Sequence, residues 1–383
     1  MRIGVITFWQ SHDNYGQLLQ AYSLQYLLRA KGHQVFIIRY GFHEYLHPRL
    51  SFASLFTTEG RLNIKIHIWN ILHNTQRNNV LDQRGFDQFR KTYLKQSKEV
   101  YNSLEDLQKR PPAADCYIAG SDQIWAQLLS RNDNRAFFLD FGDKSIRRVS
   151  YAASFALSDY PTELKSQLKQ LLSRFDAISV REPNGVKICS SVGINAELVL
   201  DPTLLLDVHL YRTLALRKHR KENTPYCFAY HVNVLSAESF YWSEINKYNQ
   251  SVGLPTIAAF GNAQKDCKME ILDNATYRYP SIEEWISLID NATYVVTSSF
   301  HGTVFAILFH KPFIFCPLPE ARFSANDRSE ALLQSLGLSC QIINREFSVS
   351  QMIDRNIDWS IVDAKLSRLK EKSLDFLFSN LSD

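Results

Sequence analysis

YVVTSSFHGTVFAILFHKPFIFCPLP, residues 294–319, runs a strand, a short polar junction, a helix and a second strand together. The β-branched and aromatic run Tyr294 to Thr297 predicts a buried strand, and Phe313 to Cys316 predicts another. Between them Ser298 and Ser299 offer hydroxyl caps, and Gly302 relieves crowding. Val304 to Phe309 is apolar enough for a helix that Lys311-Pro312 stops. Such a βαβ unit places Ser298, Ser299, His301, Gly302 and Thr303 at the carboxyl end of a strand and the amino end of a helix. In open α/β sheets ligands bind there, because free backbone N–H groups and the positive helix end face the crevice. A histidine at such a junction either caps and packs or acts on a ligand; the serines, glycine and threonine crowded around it favour the second reading.

The same punctuation recurs upstream. Ile3 to Phe8 reads as a strand, Leu18 to Lys31 as an amphipathic helix ended by Gly32, and Val35 to Tyr40 as the next strand. The junction between the first two holds Asn14, Tyr15, Gly16 and Gln17; with one glycine it lacks the GxGxxG dinucleotide fingerprint and reads equally as a turn or as a ligand-facing loop. Cys116 to Ala119 is a strand that ends in Gly120-Ser121-Asp122-Gln123-Ile124-Trp125. Strands at Val149 to Ala153 and Ala177 to Val180 follow, the second ending in Arg181. That arginine can clamp a phosphate or carboxylate bidentately, or simply pair with Glu182 or Asp201. Glu197 to Leu200 closes the first half.

The second half restarts with a strand at Tyr226 to Val232, a helix at Ser236 to Val252, a strand at Thr256 to Phe260 and a helix at Ser281 to Asn291. This alternation predicts an α/β protein of two doubly wound Rossmann-like domains facing across a cleft. Residues 1–205 would form the first and 206–347 the second, with a helical segment, 348–383, crossing back to brace the first.

At 383 residues the chain exceeds one ordinary core, and 45% hydrophobic with 21% charged residues is the composition of a folded protein. A formal charge of +4 is too small to argue for nucleic acid. The charge is nevertheless uneven: from Arg49 to Lys98 nine basic residues face three acidic ones. Leu62 to Leu72, with Trp69, is spaced either as an amphipathic helix on an anionic membrane face or as a helical excursion packed on the sheet. The six cysteines are scattered without a CxxC pair, as expected of reduced thiols in a cytoplasmic protein rather than a disulfide framework or zinc site. MRIGVITFW is a strand leading into polar residues, neither signal peptide nor membrane span, and no later apolar run reaches the roughly 20 residues a span requires.

Taken together, NYGQ at 14–17, GSDQIW at 120–125, SYAASFA at 150–156, ISVREP at 178–183, LDPT at 200–203 and SSFHGTVFAILFHKPFI at 298–314 resemble the polysaccharide pyruvyl transferase family, in order and over nearly the whole chain. The resemblance implies a fold similar to two-domain glycosyltransferases. It also implies transfer of the pyruvyl group of phosphoenolpyruvate to a sugar, commonly as a cyclic ketal, with some members acting on polyprenyl-pyrophosphate-linked precursors at the inner membrane face. Residue by residue, the family's essential histidine falls on His301 and its strand-end arginine on Arg181. A further basic residue falls near Ala321, leaving Arg322 and Arg328 as rivals. Asn14, Tyr15, Gly16, Gln17, Ser121, Asp122, Gln123, Trp125, Ser154 and the Ser298 to Thr303 junction would line the substrates, with Tyr15 and Trp125 able to stack on a sugar and packing an equally good account of Trp125. No metal or cofactor is called for, phosphoenolpyruvate being a substrate. The competing expectations are a nucleotide-sugar glycosyltransferase of the same architecture and a non-catalytic glycan-binding protein.

Overall fold

The computed structural model describes residues 1–41, 84–126, 132–217, 222, 224–234, 236–261, 270–319, 326–344 and 348–381. Twelve strands among them form two wholly parallel sheets. The first contains β1 (Arg2–Ile6), β2 (Gln34–Tyr40), β3 (Gln96–Tyr101), β4 (Cys116–Ala119), β5 (Arg147–Ala153), β6 (Ala177–Val180) and β7 (Glu197–Leu198), in the order β3-β2-β1-β4-β5-β6-β7. The second contains β8 (Cys227–Val232), β9 (Thr256–Gly261), β10 (Ala275–Tyr277), β11 (Tyr294–Thr297) and β12 (Phe313–Phe315), in the order β10-β9-β8-β11-β12. Fully buried runs such as Cys116–Ala119 and Tyr294–Thr297 are what sheets covered on both faces require. The expected architecture of two doubly wound α/β units is therefore the observed one.

Both sheets reverse their strand order beside their first strand, between β1 and β4 and between β8 and β11. At such switch points neighbouring connections leave on opposite faces, so the strands' carboxyl ends diverge and open a crevice. Segments that follow β1, β4, β8 and β11 meet in one cleft.

Several boundaries differ from the sequence reading, and for one reason. The first helix begins at Tyr15 rather than Leu18, and the helix after β11 begins at Phe300 rather than Val304. Each polar junction proves to be a cap plus a first turn: the Asn14 side chain accepts from the Gln17 N–H and the Ser299 side chain from the Gly302 N–H, both at 3.3 Å. β3 begins inside the end of what reads from sequence as a basic helical excursion and runs past it, because QSKEVY is a polar edge strand without an apolar run. Its neighbour, the helix Phe86–Tyr93, is described, whereas Arg49, Trp69 and the stretch Leu62 to Leu72 lie outside the described residues. The three-residue β10 is too short to carry a period.

The carboxy-terminal helix Trp359–Ser379 lies against the first sheet's elements: Ser373 Oγ accepts from the Leu200 N–H at 3.0 Å, Lys370 Nζ donates to the Leu206 carbonyl at 3.3 Å, and Lys31 sits over the Phe378 ring. Among the described residues no helix is long and apolar enough to cross a membrane.

Candidate active site

The cleft between the two switch points is a narrow cavity of about 70 Å³, walled by Asn14, Gln17, Asp122 and Gln123 from one side and Ser298, Ser299, Phe300, His301 and Arg328 from the other. Residues scattered over three hundred positions of sequence are thus brought together by topology. Past Phe300 and Arg328 lies a second cavity of about 370 Å³ whose further walls include Leu204, Leu332 and Leu369.

His301, in the first turn of its helix, is 7% exposed and reaches across the cleft. Its Nε2 stands 3.7 Å from Asp201 Oδ1. On the ring's other side lies Gly16, where a Cβ would overlap His301 Nδ1, so only glycine lets the helix start approach the imidazole this closely. Asp201, the aspartate of LDPT, is buried and fully engaged. Its Oδ1 accepts from the Thr203 N–H at 3.0 Å and the Thr203 hydroxyl at 2.6 Å, and its Oδ2 accepts from the Ser121 hydroxyl at 2.6 Å and Arg181 Nη1 at 2.8 Å. Burial alone would raise this carboxyl, but the proximity and charge of His301, with Arg181 and Ser121, hold it well below the usual carboxylate range.

Arg181 therefore has its ion pair inside the protein, as one of its two sequence readings anticipates. Burial works against its charge, yet Asp201, Asp122 and Glu182 outweigh it and hold the guanidinium above its ordinary value. Arg328 has the opposite surroundings. Its Nε is buried without a hydrogen-bond partner, and no hydrogen bond or ion pair to its side chain occurs among the described residues. Burial first, and the charge of Arg181 second, push it down to about 10. Both guanidiniums face the Phe300 ring, at 5.0 Å for Arg181 and 5.7 Å for Arg328. Beside them burial holds the Glu182 carboxyl above its usual range, against the pull of both arginines.

The remaining sequence candidates divide clearly. Asn14, Gln17, Asp122, Gln123, Ser298 and Ser299 line the cleft. Ser298 Oγ also ties the end of β11 to β8, accepting from the Val232 N–H at 2.9 Å. Ser121 stands behind the cleft on Asp201, and Ser154 behind Asp122, its N–H donating to the Asp122 carbonyl at 2.9 Å. Gly302 packs against Thr297, where a Cβ would overlap Oγ1, and the Thr303 hydroxyl returns to the Ser299 carbonyl; both are structural. Tyr15 and Trp125 are corrections. Tyr15 is fully buried, stacked on Trp285 at 5.1 Å and bonded to the Pro280 carbonyl, while Trp125 stacks on Phe138 at 5.1 Å and donates to the Phe137 carbonyl. Neither offers a face to a sugar, because an apolar ring beside a strand end is drawn into whichever core adjoins it. Arg322 lies outside the described residues. Phe300, by contrast, escapes the sequence reading although SSFHG contains it, and Glu182 enters that reading only as a partner for Arg181; both sit beside a residue that was singled out.

A family model for Polysaccharide pyruvyl transferase matches residues 14–318. A comparison with curated proteins returned no match. Among solved structures the chain is similar to UDP-GlcNAc 2-epimerase from Neisseria meningitidis bound to UDP-GlcNAc (TM-score 0.53, 8% identity, covering 97% of this chain and 94% of that one). It is also similar to a putative UDP-N-acetylglucosamine 2-epimerase from Listeria monocytogenes (0.52, 8%, 97% and 90%). A UDP-N-acetylglucosamine 2-epimerase from Rickettsia bellii gives comparable values (0.51, 11%, 99% and 96%). At these identities the likeness speaks for the two-domain fold.

Proposed function

The chain belongs to the polysaccharide pyruvyl transferase family, and from that premise we propose that it transfers the pyruvyl group of phosphoenolpyruvate to a sugar of a surface polysaccharide or of its lipid-linked precursor, forming a cyclic ketal and releasing phosphate. The observation that carries this reading is Arg328, a half-buried guanidinium without a hydrogen-bond or ion-pair partner among the described residues, on the cleft wall that also presents His301. An unpaired cation in such a place is stabilised by an anion, and phosphoenolpyruvate brings a phosphate and a carboxylate on adjacent atoms. In this reading Arg328 takes the donor's anion, and Arg181 fixes Asp201 and adds positive potential behind Phe300. His301, held between Gly16 and Asp201, moves a proton at the reacting centre. Ketal formation by this route draws on no cofactor. The acceptor would enter along the polar wall of Asn14, Gln17 and Gln123.

The test is phosphate release from phosphoenolpyruvate with galactose-, mannose- and glucose-containing acceptors, free and lipid-linked, with His301→Ala alongside. Release that requires both acceptor and histidine is expected. A chain that releases no phosphate with any acceptor, and is thermally stabilised by a nucleoside diphosphate but not by phosphoenolpyruvate, would instead be a nucleotide-sugar enzyme on the same fold.

A further inference from the structure

Asp122 forms an ion pair with Arg181 through one carboxylate oxygen, but its other oxygen fits no structural duty. It is 6% exposed, and its Oδ2 is buried without a hydrogen-bond partner. Its Oδ1 accepts only from the adjoining Gln123 N–H, at 2.8 Å, and stands 3.6 Å from Arg181 Nη2, beyond hydrogen-bonding distance. Its backbone has φ = 91°, a region that favours glycine and is costly for a residue with a Cβ. The strain is locked in from outside, because the Ser154 N–H holds the Asp122 carbonyl and residues 122 and 153 form a parallel bridge. A glycine would relieve the strain and, by leaving no carboxylate, the unpaired oxygen as well. Strained residues with orphaned polar atoms concentrate where function retains them.

We propose that Asp122 is a second proton-transfer residue, the base for the acceptor hydroxyl, opposite His301 in the same cavity. This rests on the pyruvyl-transfer reading above. Ketal formation moves more protons than one group handles in a single step. In the first step the acceptor O–H proton passes to Asp122 while that oxygen bonds to C2 of phosphoenolpyruvate; the C2=C3 electron pair takes a proton from the His301 imidazolium to make the methyl group. The C2–O bond to phosphate then breaks, its electron pair leaving with the phosphate, which collects the proton from Asp122. The second hydroxyl oxygen bonds to C2 and its proton returns to His301. One donor and one diol give one ketal and one hydrogen phosphate, with both residues restored.

The strained backbone supplies a clean experiment. Asp122→Gly removes the carboxylate at a position where glycine is the better-fitting residue, so the variant should melt at or above the wild-type temperature. It should keep the thermal shift caused by phosphoenolpyruvate, since Arg328 is untouched. Phosphate release should fall about a hundredfold or more, and added formate, a small carboxylate that fits the vacated space, should restore part of it. Release within threefold of wild type, or a loss that formate does not relieve, overturns the proposal. Wild-type protein that releases no phosphate with any acceptor overturns the donor reading itself, and this proposal with it, before any variant is compared.

Discussion

Arg181 and Arg328 face the same phenyl ring from opposite circumstances. Arg181 is anchored at 2.8 Å on Asp201, with Asp122 and Glu182 around it, whereas Arg328 has no hydrogen-bond or ion-pair partner among the described residues and is pushed down to about 10, chiefly by burial. One guanidinium is neutralised inside the protein; the other is the one proposed to meet an entering anion. The difference teaches that position at a strand or helix end selects residues able to meet an anion, while the internal charge balance decides which of them is still available. A cation already neutralised by a buried carboxylate has spent most of its electrostatic attraction.

The largest expected effect follows from that anchoring. Arg181→Gln leaves Asp201 buried with its charge uncompensated on one side, and removal of one partner of a buried pair costs about 3–5 kcal/mol. A denaturant titration at neutral pH should show this as a lowered midpoint. A loss below about 1 kcal/mol would mean that Asp201 is satisfied by Ser121 and Thr203 alone and that Arg181 is as free as its neighbour. Arg328→Gln should behave in the opposite way. Stability should hold or rise, because a half-buried charge without a partner among the described residues is removed. The specificity constant for phosphoenolpyruvate should fall about 10- to 100-fold, corresponding to the roughly 1.5–3 kcal/mol of one charged hydrogen bond. If both variants lose stability and neither loses the donor, the two arginines are alike and the contrast between them fails.

A third buried guanidinium, outside the cleft, sharpens the comparison. Arg84 donates to the Phe260 carbonyl at 3.0 Å, is enclosed by Tyr15, Phe260 and Tyr279, and leaves Nε and Nη2 without partners. Its effect falls on stability. Burial, with the Arg84 charge second, lowers the nearby His231 imidazole to about 3. Unfolded histidine titrates near 6.5, so between those values the unfolded chain binds the extra proton. Stability from this group is therefore complete above about pH 6.5 and is lost as pH falls towards 3, at no more than about 1.4 kcal/mol per pH unit. His231→Gln should flatten the acid limb of a stability–pH curve without altering its neutral plateau shape, and an unchanged limb would show that other groups govern acid unfolding.

Much of this was legible from the sequence because parallel strands covered on both faces are written as apolar runs. Cys116–Ala119, Ala177–Val180 and Tyr294–Thr297 were readable to the residue for that reason. β3 was hidden because an edge strand needs no apolar run, and both helix starts were placed late because a capped first turn looks like a loop. At the site, the strand-end rule pointed to His301 and Asp122, while Arg328 entered only through the family resemblance, as a rival to Arg322; the fold brings the three into one cleft. The rule left Arg181 between an anion clamp and an internal pair with Glu182 or Asp201, and only the fold decides for Asp201, since pairing is a property of the folded neighbourhood. The same limit applies to Tyr15 and Trp125, whose sequence context does not distinguish a ring over a cleft from a ring in a core.

The smallest expected effect concerns the two helix starts, which bring one cap to each wall. Ser299 occupies the Gly302 N–H and Asn14 the Gln17 N–H, so neither donor is open to a ligand while its cap is in place. Replacing either cap by alanine should cost about 1 kcal/mol in stability. It also exposes a helix-end N–H that an anion can take over, and a ligand that repairs the defect stabilises the variant more than the wild type. Inorganic phosphate is the probe, read as the rise in melting temperature. If the anion belongs on the Arg328 wall, phosphate should recover more of the loss in Ser299→Ala than in Asn14→Ala. Equal recovery would place the anion midway between the walls, and recovery confined to Asn14→Ala would assign it to the wall of Asn14 and Asp122, the latter backed by Arg181, reversing the roles given to the two arginines.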